Sequence, residues 1–410
     1  MERFTGLLGI VLIFGIAYLF SNNRKAINYR LVLSGFALQI VIAILVLKIP
    51  PVTKFFQLLG KGMQKIEMFA KQGADFVYGG VAAVDFNGNT VNYATPHIFV
   101  FAFNITSTII LVCVLVAIFY HLGIMQRIVS VIAKAMNFVM RVSGAEALSN
   151  VASAFVGQVE AQVMIRPYLK GMTKSELLAS MSGSLACIAG GILIVYANMG
   201  AKAEYLIAAS LMAAPGALVI SKIVFPETEE SQTLGKVKLD VKSDYSNLVD
   251  AISHGAADGF KISMNVIAML MGFIALIAML NWILGHAYPG LTLDFIFGKF
   301  FFPFAWTMGV PIEDVNNVAT LLGQKITVNE FVAFKNLTSH AIPIISEKGL
   351  LIVSVAICGF ANFSSVGMQI GGISALVPER RTDLAKLGMK ALLCGTLASY
   401  LSATIAGMLF

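Results

Sequence analysis

Residues 152–165 read ASAFVGQVEAQVMI and residues 326–334 read ITVNEFVAF. Both stretches are apolar, and both are too short to cross a bilayer, which takes about 20 apolar residues of helix. Each carries one carboxylate, Glu160 or Glu330. An ionisable side chain at membrane depth costs at least ~2.5 kcal/mol on insertion scales. It is tolerated where it faces a polar cavity or a bound polar ligand. The two carboxylates therefore mark a candidate site.

The rest of the chain has the composition of a membrane protein. Of its 410 residues, 58% are hydrophobic and only 12% charged, with a mean hydropathy of +0.82. A soluble domain carries roughly 25% charged residues. The net charge of +7 does not point to nucleic acid, because the basic residues are dispersed between apolar segments, as topology signals are. Cys113, Cys187, Cys358 and Cys394 lie in apolar segments without CxxC spacing, so neither a disulfide framework nor a zinc site is expected. His97, His121, His254, His286 and His340 show no metal-ligand spacing, and most fall at segment ends. The first apolar segment has no small-residue cleavage site and runs into NNRKAINYR (22–30), so it reads as a retained helix.

Eight spans follow from hydropathy: 4–21, 31–50, 97–121, 176–199, 203–225, 260–285, 349–374 and 387–409. Arg24, Lys25 and Arg30 follow the first span. Arg127, Lys134, Arg141, Arg166, Lys170 and Lys174 precede the fourth. Lys222 ends the fifth and Lys236, Lys238 and Lys242 follow it, and Arg380, Arg381, Lys386 and Lys390 precede or open the eighth. These connections alternate so that all are cytoplasmic together, which places both termini outside, in the periplasm. Lys54, Lys61, Lys65 and Lys71 fall on the outer side, within an amphipathic stretch at 52–76 that reads as an interfacial helix. The stretch 123–142, GIMQRIVSVIAKAMNFVMRV, reads the same way on the inner side. The polar segment 226–247 reads as an exposed cytoplasmic loop.

Segments 143–174 and 309–348 are too short to cross twice and too apolar to be free loops. Each is expected to enter the membrane and return on the same side. That is acceptable only where protein or a watery cavity satisfies the backbone. Each is followed by a span rich in small residues, SGSLACIAGG (182–191) or CGFANFSSVG (358–367), and then by a further span. By the topology above the two units enter from opposite sides, which is the layout of an inverted-repeat transporter with its site near the midplane.

The runs FVGQVEA (155–161), RPYL (166–169), CIAGGI (187–192), MAAPGAL (212–218), PETE (226–229), VNEFVAF (328–334), CGFANFSS (358–365) and PERRTDLAKLGMKALLCGTL (378–397) resemble the concentrative nucleoside transporter family, in its bacterial branch. The resemblance covers essentially the whole chain. It implies an all-α integral membrane protein with eight transmembrane helices, two oppositely oriented re-entrant hairpins and three interfacial helices. It also implies a homotrimer in the bacterial inner membrane, with an elevator mechanism. The expected organisation is scaffold at 1–122, a first transport half at 123–225, a cytoplasmic loop and scaffold helix at 226–286, and a second transport half at 287–410.

The resemblance also assigns roles. Glu330 would accept ribose hydroxyls, since charge-assisted hydrogen bonds are about twice as strong as neutral ones. Asn362 and Ser365 would also contact the ribose. Gln158 and Glu160 would read the base edge, with Gly157 allowing the backbone close and Val159 at a position that touches the base. Ile192 and Ile262 would be apolar contacts, and Phe360 would line the pocket. Glu160 has other readings: a staple to Arg166, or a proton site, because a desolvated carboxylate binds a proton more readily. A sodium site would use Ser153, Val156, Cys187 and Ile188. The chain departs from the family pattern there: Ser153 stands where an Asn is usual, Val159 where a Thr is usual, and Cys187 where a Ser is common. Sodium is a hard cation that prefers oxygen, so these changes should weaken the site, and proton coupling is the competing expectation. No other cofactor is implied. An enzyme is disfavoured by the absence of HExxH, GxSxG or a histidine near either glutamate. A channel has little use for two dissimilar polar hairpins. The expected function is secondary active uptake of nucleosides such as uridine.

Overall fold

The computed structural model describes residues 2–82, 101–233 and 245–410. Among the described residues every regular element is helical. Helix α1 (Glu2–Leu19) is followed by α2 (Tyr29–Lys48), which starts at Asn28, whose side chain accepts from the Leu31 N–H at 3.2 Å. Helix α3 (Pro50–Ala82) carries prolines in its first turn, where a missing N–H costs nothing. Helix α4 (Phe101–His121) turns by 76° into α5 (Ile124–Met140). The turn falls at Gly123, whose φ of +72° suits glycine. One face of α5 buries Met125, Val129, Ala133, Met136 and Met140, while Val131 and Phe138 on the other face are exposed.

A repeated pattern follows. Helix α6 (Gly144–Ser153) breaks and resumes as α7 (Glu160–Met164), with the short α8 (Arg166–Leu169) behind it. Helix α9 (Lys174–Ala186) breaks and resumes as α10 (Gly190–Asn198), and the long α11 (Ala203–Val224) completes the unit. After α12 (Leu248–Ala287) and α13 (Leu293–Thr307) the order recurs. Helix α14 (Val315–Thr327) breaks into α15 (Glu330–Thr338), α16 (Glu347–Ile357) breaks into α17 (Phe363–Leu376), and α18 (Arg381–Leu409) is unbroken. The sequence supplies the starts. Ser143 with Glu146 and Thr173 with Glu176 form reciprocal capping boxes, and Asn329 and Asn362 cap α15 and α17.

Helices α11 and α18 are buried along most of their lengths and pack on one another, with α9 and α16 against them. Gln39 of α2 reaches this core, fully buried, and donates to the Met212 carbonyl (3.2 Å) and the Ser402 hydroxyl (2.8 Å). A polar side chain so deep is tolerated because its amide donates to acceptors on two helices.

The predicted spans map onto these helices with differences. Among the described residues Tyr29–Lys48, Lys174–Asn198, Ala203–Val224 and Pro378–Leu409 are long and apolar enough to cross a membrane, and the bent α4–α5 pair is a possible fifth. The predicted span at 349–374 is interrupted by Cys358–Asn362 between α16 and α17. The span at 97–121 begins outside the described residues.

Two readings need correction. Lys222, counted as a free topology charge, is only 4% exposed. It pairs with Glu146 (2.8 Å) and Glu227 (3.2 Å), and donates to Ser175 at 3.0 Å. The first part of the segment read as an exposed loop is tied down as well. The Thr233 carbonyl accepts from the Gly144 N–H at 2.9 Å, and Glu227 accepts from the Thr173 hydroxyl at 2.8 Å. A buried ammonium needs such partners, and the PETE run supplies one of them.

Candidate functional site

The four breaks converge. Gly359 lies against the Ala186 carbonyl so closely that a Cβ there would sit 2.3 Å from its oxygen, and its φ of +132° also requires glycine. The next residue, Phe360, donates its N–H to the Cys187 carbonyl at 3.3 Å. The break between α9 and α10 is thus joined to the break between α16 and α17. The Gly190 N–H donates to the Phe155 carbonyl at 3.1 Å, which joins the α6–α7 break to the same centre.

Glu330 is the first residue of α15 and only 7% exposed. The N-terminal end of a helix favours a carboxylate through its free N–H groups and dipole. One carboxylate oxygen accepts from the Tyr196 hydroxyl at 3.2 Å, and the other from the Asn362 amide at 2.8 Å. Asn362 in turn accepts at Oδ1 from the Ser365 N–H (2.8 Å) and the Ser364 hydroxyl (3.1 Å). Glu330, Asn362 and Ser365 therefore share one hydrogen-bonded cluster, with Phe360 half-buried two residues before Asn362. Such a carboxylate, already bonded to neutral donors, can exchange them for the hydroxyls of a ligand.

The first hairpin is arranged differently. Gly157 (φ +122°) turns the chain beside the Glu160 carboxylate, and a Cβ there would meet its oxygen at 2.5 Å. Gln158 is nearly buried. Its amide nitrogen reaches only the Met368 sulfur, at 4.0 Å, and its Oε1 has no hydrogen-bond partner. Val159 packs against Gly372 of α17. Glu160 opens α7 as Glu330 opens α15, yet it is exposed, and it lies within electrostatic reach of Asp258 on α12. The staple to Arg166 is absent among the described ion pairs, a correction to that reading. Helix α7 stops at Met164, and Arg166 opens the separate short helix α8 beyond the break at Ile165. Ile192 lies one turn before Tyr196 on α10, and Ile262 one turn after Asp258 on α12, both half-buried.

Oxygen atoms gather at the end of α9. The Ser153 hydroxyl, 1% exposed, donates to the Ser149 carbonyl at 2.7 Å and lies 2.8 Å from the Ser184 hydroxyl. The Ile188 carbonyl accepts from the Ser210 hydroxyl at 3.5 Å. The Asn150 side-chain oxygen is buried without a hydrogen-bond partner. Val156 closes the α6 end through its N–H to the Ala152 carbonyl at 2.9 Å. The Cys187 thiol points to the carbonyls of Asn150 (3.8 Å) and Ser210 (4.0 Å). This oxygen-rich set fits a hard cation, and the thiol is its one soft member.

Two further residues belong to this region and were not singled out from the sequence. Tyr196 is fully buried, its ring stacked on Phe334 at 4.4 Å between centroids and tilted against Phe331 at 5.8 Å. Lys325 of α14 is also fully buried, and its ammonium donates to the Ala356 carbonyl at 2.9 Å. Outside the bundle centre, Lys202 before α11 pairs with Glu347 at the start of α16, which pushes the Lys202 ammonium's pKa up. A cavity of about 270 Å³ opens between α12, α13 and the second hairpin, lined by Ile277, Phe297, Gln324 and Val332 among others. Glu330 does not line it, so the chemistry is read from the polar cluster.

Three family models match the chain in sequence order. "Na+ dependent nucleoside transporter N-terminus" matches residues 8–81, "Nucleoside recognition" residues 102–203, and "Na+ dependent nucleoside transporter C-terminus" residues 205–407. Nucleoside permease NupC of Helicobacter pylori is 36% identical, over 98% of this chain and 96% of its own length. Sodium/nucleoside cotransporter 1 of Rattus norvegicus is 36% identical over all of this chain and 64% of its own. Among solved structures, CNTnw in an inward-facing substrate-bound state superposes with a TM-score of 0.91 at 39% identity, covering 100% of this chain and 98% of that one.

Proposed function

We propose, from the premise that the chain belongs to the Na+-dependent nucleoside transporter family, that it takes up nucleosides across the bacterial inner membrane together with sodium. Its relatives are transporters and permeases, and it is a multi-pass membrane protein rather than an enzyme. The observation that carries the reading is the Glu330 cluster: a buried carboxylate held by one donor from each repeat, at the point where the helix breaks meet.

In this reading the ribose hydroxyls take over the Glu330 oxygens from Tyr196 and Asn362, with Ser365 beside them. The exchange keeps the carboxylate fully hydrogen-bonded throughout, which a buried charge requires. Gln158, with an unpartnered buried oxygen, and Glu160 meet the base edge, while Val159, Ile192, Ile262 and Phe360 supply apolar contact. The Ser153 hydroxyl and the carbonyls of Val156 and Ile188 hold sodium beside Cys187. The two hairpins re-enter from opposite sides, both termini are periplasmic, three protomers assemble on the scaffold helices, and the transport halves move as an elevator. Sodium and nucleoside then travel at one junction, so neither crosses efficiently alone.

A second reading, proton coupling, draws on Glu160, an exposed carboxyl group that opens α7 beside a helix break with no ion-pair partner among the described residues. Uptake of radiolabelled uridine into proteoliposomes separates the two. Accumulation under an inward sodium gradient at equal pH is expected. Accumulation only under a proton gradient would transfer the coupling to Glu160, and no uptake of any nucleoside under either gradient would refute the function.

A further inference from the structure

Helices α9 and α16 are the first halves of the two broken spans, and each ends on a cysteine cap, Cys187 or Cys358. The last carbonyls of a helix lack partners within it and carry the negative end of its dipole. Both ends therefore present the same electrostatic problem, in the interior of the molecule.

The two repeats resolve it differently. At the end of α9 the neighbours are neutral: the Ser153 hydroxyl from the last residue of α6, the Gln162 amide that donates to Ser184, and the Ile188 carbonyl. At the end of α16 the neighbour is an ammonium. Lys325 stands two residues before the end of α14, is fully buried, and donates to the Ala356 carbonyl at 2.9 Å. Its electrostatic neighbours are Glu330 and Cys358. In each repeat, then, the first half of the hairpin delivers a polar group to the end of the first half of the broken span. Lysine is almost never fully buried without a partner, so its presence here needs a reason.

We infer that Lys325 is a built-in cation: its ammonium takes, at the end of α16, the place that a free cation takes at the end of α9. The second repeat therefore carries its cation as part of the chain, and only the first exchanges its cation with solution. One external cation per nucleoside follows. Lys325 is a positioning residue in this scheme: it touches neither ligand, but fixes the α14 end to α16 and holds a positive charge near Glu330. The inference rests on the sodium reading of the preceding section.

Equilibrium binding of radioactive sodium to the purified full-length protein, together with sodium activation of uridine uptake, tests it in wild type, Lys325→Gln and Lys325→Arg. The wild type is expected to bind one sodium per chain with a hyperbolic activation curve. Lys325→Gln should bind a second sodium and show sigmoidal activation, and Lys325→Arg should behave as wild type. A Lys325→Gln variant with one bound sodium and an unchanged curve would overturn the inference, leaving Lys325 as a counter-ion for Glu330. Two sodium ions per chain in the wild type would overturn it whether or not the variant assembles. Wild-type protein that binds no sodium and takes up uridine on a proton gradient would instead remove the sodium reading on which it stands.

Discussion

Glu160 and Glu330 each open a helix directly after a break, one in each hairpin, yet their surroundings are opposite. Glu330 is buried, has a hydrogen-bond donor on each oxygen and a lysine ammonium within electrostatic reach. Glu160 is exposed and has no ion-pair partner among the described residues. A repeated architecture has thus been used for two different electrostatic tasks. The second hairpin holds a buried carboxyl group with a donor on each oxygen, and the first leaves its carboxyl group exposed. The contrast extends to the helix ends beside them, where Lys325 stands in one repeat and Ser153 in the other.

The largest test of this contrast is Glu330→Ala. Removing an acceptor of two charge-assisted hydrogen bonds, each contributing about 1.5–3 kcal/mol, should reduce uridine uptake ~100-fold or more, with insertion and assembly unchanged. Wild-type affinity in that variant, measured by equilibrium binding, would take Glu330 out of the site. Tyr196→Phe is milder, because the ring keeps its stacking on Phe334 and only one donor is lost. Because uridine displaces this donor, half-saturation should fall about 10-fold, equivalent to roughly 1.4 kcal/mol. No change would mean that Tyr196 packs beside the carboxylate without positioning it. The smallest effect belongs to the first hairpin. Ser153→Asn adds an amide oxygen at the end of α6 and should lower the sodium concentration for half-maximal uptake about 3-fold, under 1 kcal/mol. A rise in that concentration would show that Ser153 and its hydroxyl partners fit the ion better than an amide does.

The cost of a charge in an apolar segment led directly to Glu330, because that argument needs no structure. The same argument applies to Lys325, but the apolar stretch that holds Glu330 begins at 326, one residue past it. Lys222 was missed for a related reason: a lysine at the end of an apolar span looks like a topology signal, and only packing reveals Glu146 and Glu227 around it. Tyr196 could not be found at all from sequence, since an aromatic residue within ILIVYAN has the appearance of core. The clusters of small residues are legible in the sequence, but the spans that hold them read as continuous. The breaks at Cys187–Ala189 and Cys358–Asn362 are not legible, because no proline marks them and the stop depends on what each carbonyl meets. Family membership and helical class were legible from motifs that span the whole chain, a signal that local ambiguity does not erode.

The hydrogen bond from the Phe360 N–H to the Cys187 carbonyl, with Gly359 pressed against Ala186, joins the two broken spans at their weakest points. One of these points adjoins the proposed cation site, and the other leads into Asn362 and the Glu330 cluster. A ligand that orders one break spares the other part of its ordering cost. Thermodynamic linkage makes this exchange reciprocal: whatever factor the cation adds to nucleoside affinity, the nucleoside must return to the cation. If the proposed co-transport holds, this shared junction couples the two ligands without a separate gate to count its passengers.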